Sequence, residues 1–145
     1  MSNQRPSFFR VISTDYPSFL SFLFPVAFGG FSAYFFFTGN DAFRLFIIPA
    51  IGAIVFGIPF LIKRYRMIST VFQSGIQTQG KVTGIGFFRG QGRVEFTYTV
   101  DGKKQSSSNA INRNSHTRKL SVGQKVKVLV DRSDAERAFI QDIYL

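Results

Sequence analysis

The stretch that decides the fold is a pair of uncharged segments, SFLSFLFPVAFGGFSAYFFFT at residues 18–38 and LFIIPAIGAIVFGIPFLI at residues 45–62. A helix needs about 20 mostly apolar residues to cross a hydrocarbon core about 30 Å thick. Backbone groups in lipid must satisfy their own hydrogen bonds, so each segment is predicted to be helical. Residues 18–62 are therefore predicted to form a transmembrane helical hairpin.

The first apolar segment is predicted to stay in the mature protein. The apolar region of a cleaved signal peptide is about 7 to 15 residues long and precedes a site of small residues. Residues 18–38 exceed that length and contain the bulky sequence Tyr-Phe-Phe-Phe at positions 34–37. We therefore expect two membrane spans and no cleaved leader.

The orientation of the hairpin is predicted from the basic residues at its ends. Five basic residues flank the outer ends of the two spans: Arg5, Arg10, Lys63, Arg64 and Arg66. The connecting loop at residues 39–44 carries only Arg44, which is countered by Asp41. An excess of Lys and Arg marks the cytoplasmic side of a membrane protein. We expect a multi-pass protein of the bacterial inner (plasma) membrane with both termini in the cytoplasm.

Small residues recur at a spacing of four within each span. Gly29 and Ala33 lie in the first span, and Ala53 and Gly57 lie in the second. Such pairs let helix backbones approach closely. We expect them to pack the two spans of one hairpin together. The alternative is self-association into a homo-oligomer, because a two-helix hairpin has few internal contacts.

Neither span contains Asp, Glu, Lys, Arg or His. Ionisable groups inside a membrane usually mark ion or proton pathways. Their absence argues against a transporter or a proton pump, and the hairpin is interpreted as an anchor.

The rest of the chain predicts a small β domain at residues 76–145, joined to the hairpin by a juxtamembrane segment at residues 63–75. Residues 1–17 are assigned to a cytoplasmic N-terminal arm. Alternating apolar residues separated by turn residues indicate strands. Five strands are predicted, at residues 78–87, 93–100, 103–108, 125–130 and 138–143. Five short antiparallel strands favour a barrel of the SH3-like or OB-like kind, and the polar residues 109–119 are predicted to form a long exposed loop.

The layout of this domain resembles a widespread bacterial family of small membrane proteins that is known only as a domain of unknown function. The matching motifs are Gly80-Lys81-Val82, Asp101-Gly102, GQKVKVLVD at residues 123–131 and Ala138-Phe139-Ile140. The chain departs from the family pattern at residues 132–134, where a proline is often seen. The resemblance implies a fold and a location in the membrane, and it implies no catalytic residues.

The sequence offers little for catalysis, metal binding or cofactor binding. The chain has no cysteine and one histidine, so neither a thiolate site nor a multi-histidine metal site can be assembled. Ser115, His116 and Asp131 are the residue types of a nucleophilic triad, but neighbours in a polar loop lack the required orientation. The glycine-rich residues 84–92 lack the spacing of a phosphate-binding loop. We expect no enzyme activity, no metal and no cofactor.

The β domain is strongly basic, with ten Lys or Arg and two acidic residues between Lys81 and Lys127. Three kinds of partner could account for this positive charge: anionic lipid headgroups, an acidic protein, and nucleic acid, which is the least favoured of the three. Loop 109–119 is the expected contact surface for a specific partner. Eight residues are candidate lipid or protein contacts: Lys63, Arg64, Arg66, Arg89, Arg93, Arg113, Arg118 and Lys119.

These patterns favour a non-enzymatic interaction module or accessory subunit that is anchored in the membrane. The alternative is an immunity or regulatory protein that binds a membrane-active toxin, because the chain is small and its hairpin is rich in Phe without transport residues. Survival assays against such a toxin, with and without the gene, separate the two hypotheses.

Overall fold

The computed structural model describes residues 5–145, which fall into two compact units. One unit is Pro17–Tyr65 and holds most of the apolar sequence. The other combines the N-terminal residues up to Tyr16 with Arg66–Leu145 and contains all the strands. We call these the helical unit and the β unit.

The helical unit is built on two long helices. Helix α2 spans Tyr16–Phe37. A continuous helix over Phe43–Ser74 then comprises α3 (Phe43–Gly52), a π-helical turn (Ala53–Gly57) and α4 (Ile58–Ser74). Both helices are long and apolar enough to cross a membrane, judged by their length and composition. Their apolar side chains are largely exposed, which supports a membrane protein as predicted.

The two long helices contact each other through aromatic rings and one glycine. Phe46 packs against Phe31 and Phe35, with ring centroids 5.5 and 5.3 Å apart. A Cβ atom added to Gly57 would lie 3.0 Å from the carbonyl oxygen of Ser21, so the backbones approach closely at that point. The π-helical turn ends two residues before Pro59, which has no amide proton to donate within the helix.

The β unit is a five-stranded antiparallel sheet that curls into a nearly closed barrel, as predicted. Its strands are β1 (Ile76–Phe88), β2 (Gln91–Val100), β3 (Lys103–Asn112), β4 (Lys125–Val130) and β5 (Ala138–Ile140). The order across the sheet is β3-β2-β1-β4-β5. Strand β1 pairs with both β2 and β4, and a register shift between Val82 and Gly84 marks a bulge. A bulge bends and twists a strand, which helps the long strand β1 pair with both β2 and β4.

The core of the β unit is closed by segments from both ends of the chain. Strand residues such as Val94, Phe96 and Val128 are buried. Helix α1 (Phe8–Thr14) adds buried Val11. A short helix α5 (Gln141–Tyr144) adds Tyr144, whose ring meets Phe72 of α4 and Phe139 of β5 at centroid distances of 5.9 and 5.7 Å.

Two predictions about element limits were wrong. Residues 109–112 continue β3 and do not begin an exposed loop, and Asn109, Ile111 and Thr117 are buried. Strand β5 ends at Ile140 instead of reaching residue 143, because the chain turns into α5. Within the N-terminal arm, residues 8–14 form a helix that belongs to the β unit. Predicted features at residues 1–4 lie outside the described residues.

Candidate functional site

The β1–β2 hairpin carries an arginine- and phenylalanine-rich end, which we call the hairpin tip and define as Phe87, Phe88, Arg89, Gly90 and Arg113. Arg89 and Gly90 have φ values of 48° and 86°, the left-handed pair of a two-residue type I′ turn. The Arg113 amide donates to the Gly90 carbonyl at 2.7 Å and joins the end of β3 to this turn.

Each phenylalanine of the hairpin tip lies beneath a guanidinium group. The Arg89 guanidinium carbon lies 5.1 Å from the Phe88 ring centroid, and that of Arg113 lies 5.8 Å from the Phe87 centroid. These distances fall within the range of cation–π attraction. The predicted contacts Arg89 and Arg113 are therefore brought together at one end of the barrel.

A groove of about 390 Å³ lies beside the hairpin tip. It is lined by Tyr16, Gly86, Phe87, Phe88, Gln91, Gly92, Arg93 and Ala110. A Cβ atom at Gly92 would lie 2.5 Å from Cδ1 of Phe87, so a glycine is required for the ring to lie over this strand. Arg93 is the one charged residue among these lining residues, which gives the groove a positive character.

A second surface lies on the outside of the sheet and carries four exposed lysines. We call it the lysine face and define it as Lys81, Lys104, Lys125 and Lys127. Lys81 of β1 lies directly opposite Lys125 of β4, and Gln79 lies opposite Lys127. Like charges directly opposite each other in a sheet destabilise it. Within residues 5–145, none of the four lysines forms a salt bridge.

The centre of the lysine face is a shallow groove of about 250 Å³. It is lined by Gln79, Gly80, Lys81, Thr97, Tyr98, Thr99, Lys104 and Lys125. None of these lining residues is acidic, and several offer neutral hydrogen-bonding groups. From the sequence alone these lysines are visible only as part of the net charge, because their convergence depends on the strand order and register.

The remaining predicted contacts lie elsewhere. Arg118 and Lys119 are exposed on a 3₁₀ turn (Thr117–Lys119). That turn is held by Asn114, whose Oδ1 accepts from the amides of His116 and Thr117 at 2.9 and 3.0 Å. On α4, Lys63 and Arg66 are exposed and Arg64 is half-buried.

His116 is not a solvated loop residue, because Arg10 Nη1 lies 2.6 Å from its Nε2 atom. The ring therefore accepts a hydrogen bond through Nε2. Desolvation lowers the pKa of His116, and the charges of Arg10 and Lys119 lower it further. This contact helps to fasten α1 to the β unit, together with a 3.3 Å hydrogen bond from Arg10 Nε to the carbonyl of Ile143.

Two of the three triad residue types, His116 and Asp131, are engaged in other contacts. Asp131 accepts hydrogen bonds from the amide and hydroxyl of Ser133 at 2.9 and 2.7 Å. These bonds lower the pKa of Asp131, and Arg137, 3.0 Å from its Oδ2, lowers it further. Across residues 5–145, no group of three His, Cys, Asp or Glu side chains gathers in a way that could hold a metal ion.

The small residues of the two long helices differ in their surroundings. Gly57 faces Ser21 and Pro25, as described above. A Cβ atom at Gly29 would meet no atom within 4 Å, and Ala33 is exposed. Ala53 is half-buried at the start of the π-helical turn.

Comparison with known proteins gives one match. Residues 76–142 match the family described as Domain of unknown function (DUF3592), a range that runs from β1 into α5. The predicted resemblance to a domain of unknown function is thereby confirmed. No curated protein and no solved structure matches the chain.

Proposed function

We propose that this protein is a non-enzymatic interaction module anchored in the membrane, a module that holds a basic β domain at the cytoplasmic surface of the bacterial inner membrane. The lysine face binds an acidic surface of a partner protein, and the hairpin of α2, α3 and α4 serves as the anchor.

The observation that carries this proposal is that the β unit includes the chain on both sides of the apolar hairpin. Val11 of α1 is buried in the β unit, and so are Ile68 and Val71 near the end of α4. Two membrane crossings return the chain to the side from which it started. A domain that incorporates both flanks therefore agrees with a hairpin whose two ends lie on the same side.

The side itself is proposed from the basic residues. The sequence on either side of the hairpin carries Arg5, Arg10 and the basic group at residues 63–66. The short turn between the long helices carries only Arg44, and its charge is countered by Asp41, whose Oδ1 lies 3.7 Å from Arg44 Nη2. Positive charge stays preferentially in the cytoplasm during insertion. This asymmetry supports a cytoplasmic location for both ends of the hairpin and for the β unit.

An acidic partner is supported by the electrostatics of the lysine face. The opposed pair Lys81 and Lys125 has no described acidic neighbour in salt-bridge distance. A carboxylate-rich surface placed against it would remove a like-charge repulsion while gaining attraction. Binding of this kind is strengthened at low ionic strength and weakened by salt.

The test is photo-crosslinking in cells with a photoreactive amino acid in place of Thr99, at the centre of the lysine face. We expect a discrete protein adduct that is lost in a Lys81→Glu, Lys125→Glu variant. The same probe in place of Ser115, an exposed residue in the loop that follows β3, is the matched control. An adduct that persists unchanged in the charge-reversed variant would overturn the assignment of the lysine face.

A further inference from the structure

We propose that the hairpin tip is a third point of contact with the bilayer. Phe88 enters the boundary between headgroups and acyl chains, and Arg89, Arg93 and Arg113 bind phosphates of anionic lipids. The inference rests on the proposed membrane anchoring and adds a specific lipid-binding surface on the β unit.

The first support is the composition of the tip. Phe88 is 67% exposed, although most large apolar residues of the β unit are buried. Arg89, Arg93 and Arg113 are exposed around it, and within residues 5–145 none of the three forms a salt bridge. An apolar ring surrounded by arginines without acidic partners suits an interface that is apolar on one side and negatively charged on the other.

The second support is the position of Tyr16. This residue lines the groove beside Phe88 and is also the first residue of α2, the helix that begins the apolar hairpin. Tyrosine is enriched where membrane helices meet the headgroups. We therefore infer that Tyr16 lies at the depth of the interface, and the hairpin tip adjoins the groove wall that Tyr16 forms.

The third support is that Tyr16 is held in place by β3. The preceding residue, Asp15, forms an isolated antiparallel bridge with Ile111, and it also accepts a hydrogen bond from the Tyr144 hydroxyl at 3.3 Å. The side chains of Asn112 and Asn114 donate to the carbonyl of Ser13 at 3.3 and 3.1 Å. The distance between Tyr16 and the hairpin tip is thus set by hydrogen bonds within the β unit.

The chemistry favours lipid over other occupants of this groove. Basic residues near an anionic leaflet are attracted to its headgroups, and three arginines converge here. The cation–π contacts hold the guanidinium groups of Arg89 and Arg113 over the phenyl rings, so one compact tip presents both charge and apolar surface.

The experiment uses the absence of tryptophan from the chain. A Phe88→Trp variant of the full-length protein carries a single fluorescent reporter at the hairpin tip. It is reconstituted in vesicles of phosphatidylcholine and phosphatidylglycerol, with and without brominated acyl chains as quenchers. A Val122→Trp variant, with a similarly exposed position on another turn, is the matched control.

We expect Phe88→Trp emission to be blue-shifted and quenched several-fold more strongly than Val122→Trp emission. Replacing Arg89, Arg93 and Arg113 with Gln should reduce that quenching in anionic vesicles. Equal quenching of the two reporters, or an unquenched Phe88→Trp variant, would overturn the inference. Flotation of the same samples tests the anchor separately: floating protein with an unquenched tip leaves the proposed function standing, whereas protein that does not float refutes both.

Discussion

Asn109 joins the two edge strands of the sheet through its side chain, donating from Nδ2 to the carbonyl of Ala138 at 2.9 Å. Its Oδ1 accepts from the amide of Ile140 at 3.3 Å. Asn109 is in β3 and Ala138 is in β5, the two strands at opposite ends of the sheet order. The Asn109 side chain thus links β3 to β5 by hydrogen bonds, where backbone pairing between the two edge strands would otherwise close the barrel.

Replacing Asn109 should destabilise the β unit. An Asn109→Leu variant leaves the carbonyl of Ala138 and the amide of Ile140 buried without these partners, at a cost of about 1–3 kcal/mol. Amide hydrogen exchange in β4 and β5 of the full-length protein in micelles should become faster. The matched control is Asn112→Leu, because Asn112 is half-exposed and water can replace its bond to Ser13. Equal effects of the two substitutions would refute the role given to Asn109.

The contact between Arg10 and His116 should make the docking of α1 sensitive to pH. The pKa of His116 lies below its ordinary value of 6.5, so the neutral ring is favoured in the folded chain. The resulting stabilisation is present above about pH 6.5 and is lost as the pH falls through the lowered pKa. Protonation would place an imidazolium beside Arg10 and Lys119.

The contact is tested by the amide hydrogen exchange rates of residues 8–14. At each pH, the rate in the wild-type protein is divided by the rate in a His116→Asn variant. Asn can accept from Arg10 without titrating. We expect wild-type exchange to rise relative to the variant below pH 6.5. A ratio that stays constant from pH 8 to pH 5 would show that His116 does not control the docking of α1.

The Tyr98 phenol should resist ionisation. Its side chain is buried and its hydroxyl donates to the carbonyl of Ala135. Burial raises the pKa of Tyr98, and the nearby carboxylates of Asp134 and Glu136 raise it further. The stabilisation is complete below about pH 10.0 and is lost as the pH rises through the raised pKa.

An ultraviolet absorbance titration of the five tyrosines checks this point. We expect a late phase above pH 10 that loses the amplitude of one phenol in a Tyr98→Phe variant. The same substitution should cost about 1 kcal/mol of stability at neutral pH through the lost hydrogen bond. A late phase of unchanged amplitude in Tyr98→Phe would show that Tyr98 does not contribute to it.

Gly57 should be needed for the helical hairpin to close. A leucine there would meet the backbone of Ser21, and overpacking of this kind costs about 1–3 kcal/mol. Gly29→Leu is the matched control, because the space beside Gly29 is open. Spin labels placed on the two long helices should report a wider separation in Gly57→Leu alone. Separation unchanged in both variants would show that the Gly57 contact does not hold the helices together.

The sequence was sufficient for features that depend on local pattern. Uninterrupted apolar runs identified both long helices, and the alternation at residues 93–100 with the Asp101-Gly102 turn identified β2 and its hairpin. It was insufficient where a polar residue is buried by a distant partner. Asn109 resembles a surface residue in the sequence because its partners, Ala138 and Ile140, are supplied by β5 across the nearly closed barrel. The lysine face likewise depends on the pairing of β1 with β4, two strands separated by 36 residues of chain.

We propose that the apolar hairpin holds the β unit at the cytoplasmic side of the membrane. Because the chain has no cysteine, single-cysteine labelling with a membrane-impermeant maleimide tests it directly. The two exposed positions are Asn40→Cys, in the turn between the long helices, and Ser106→Cys, on β3. We predict that Asn40→Cys is labelled when only the outer surface of the inner membrane is accessible, and that Ser106→Cys is labelled only after that membrane is opened. Labelling of both positions from the same side would contradict the account.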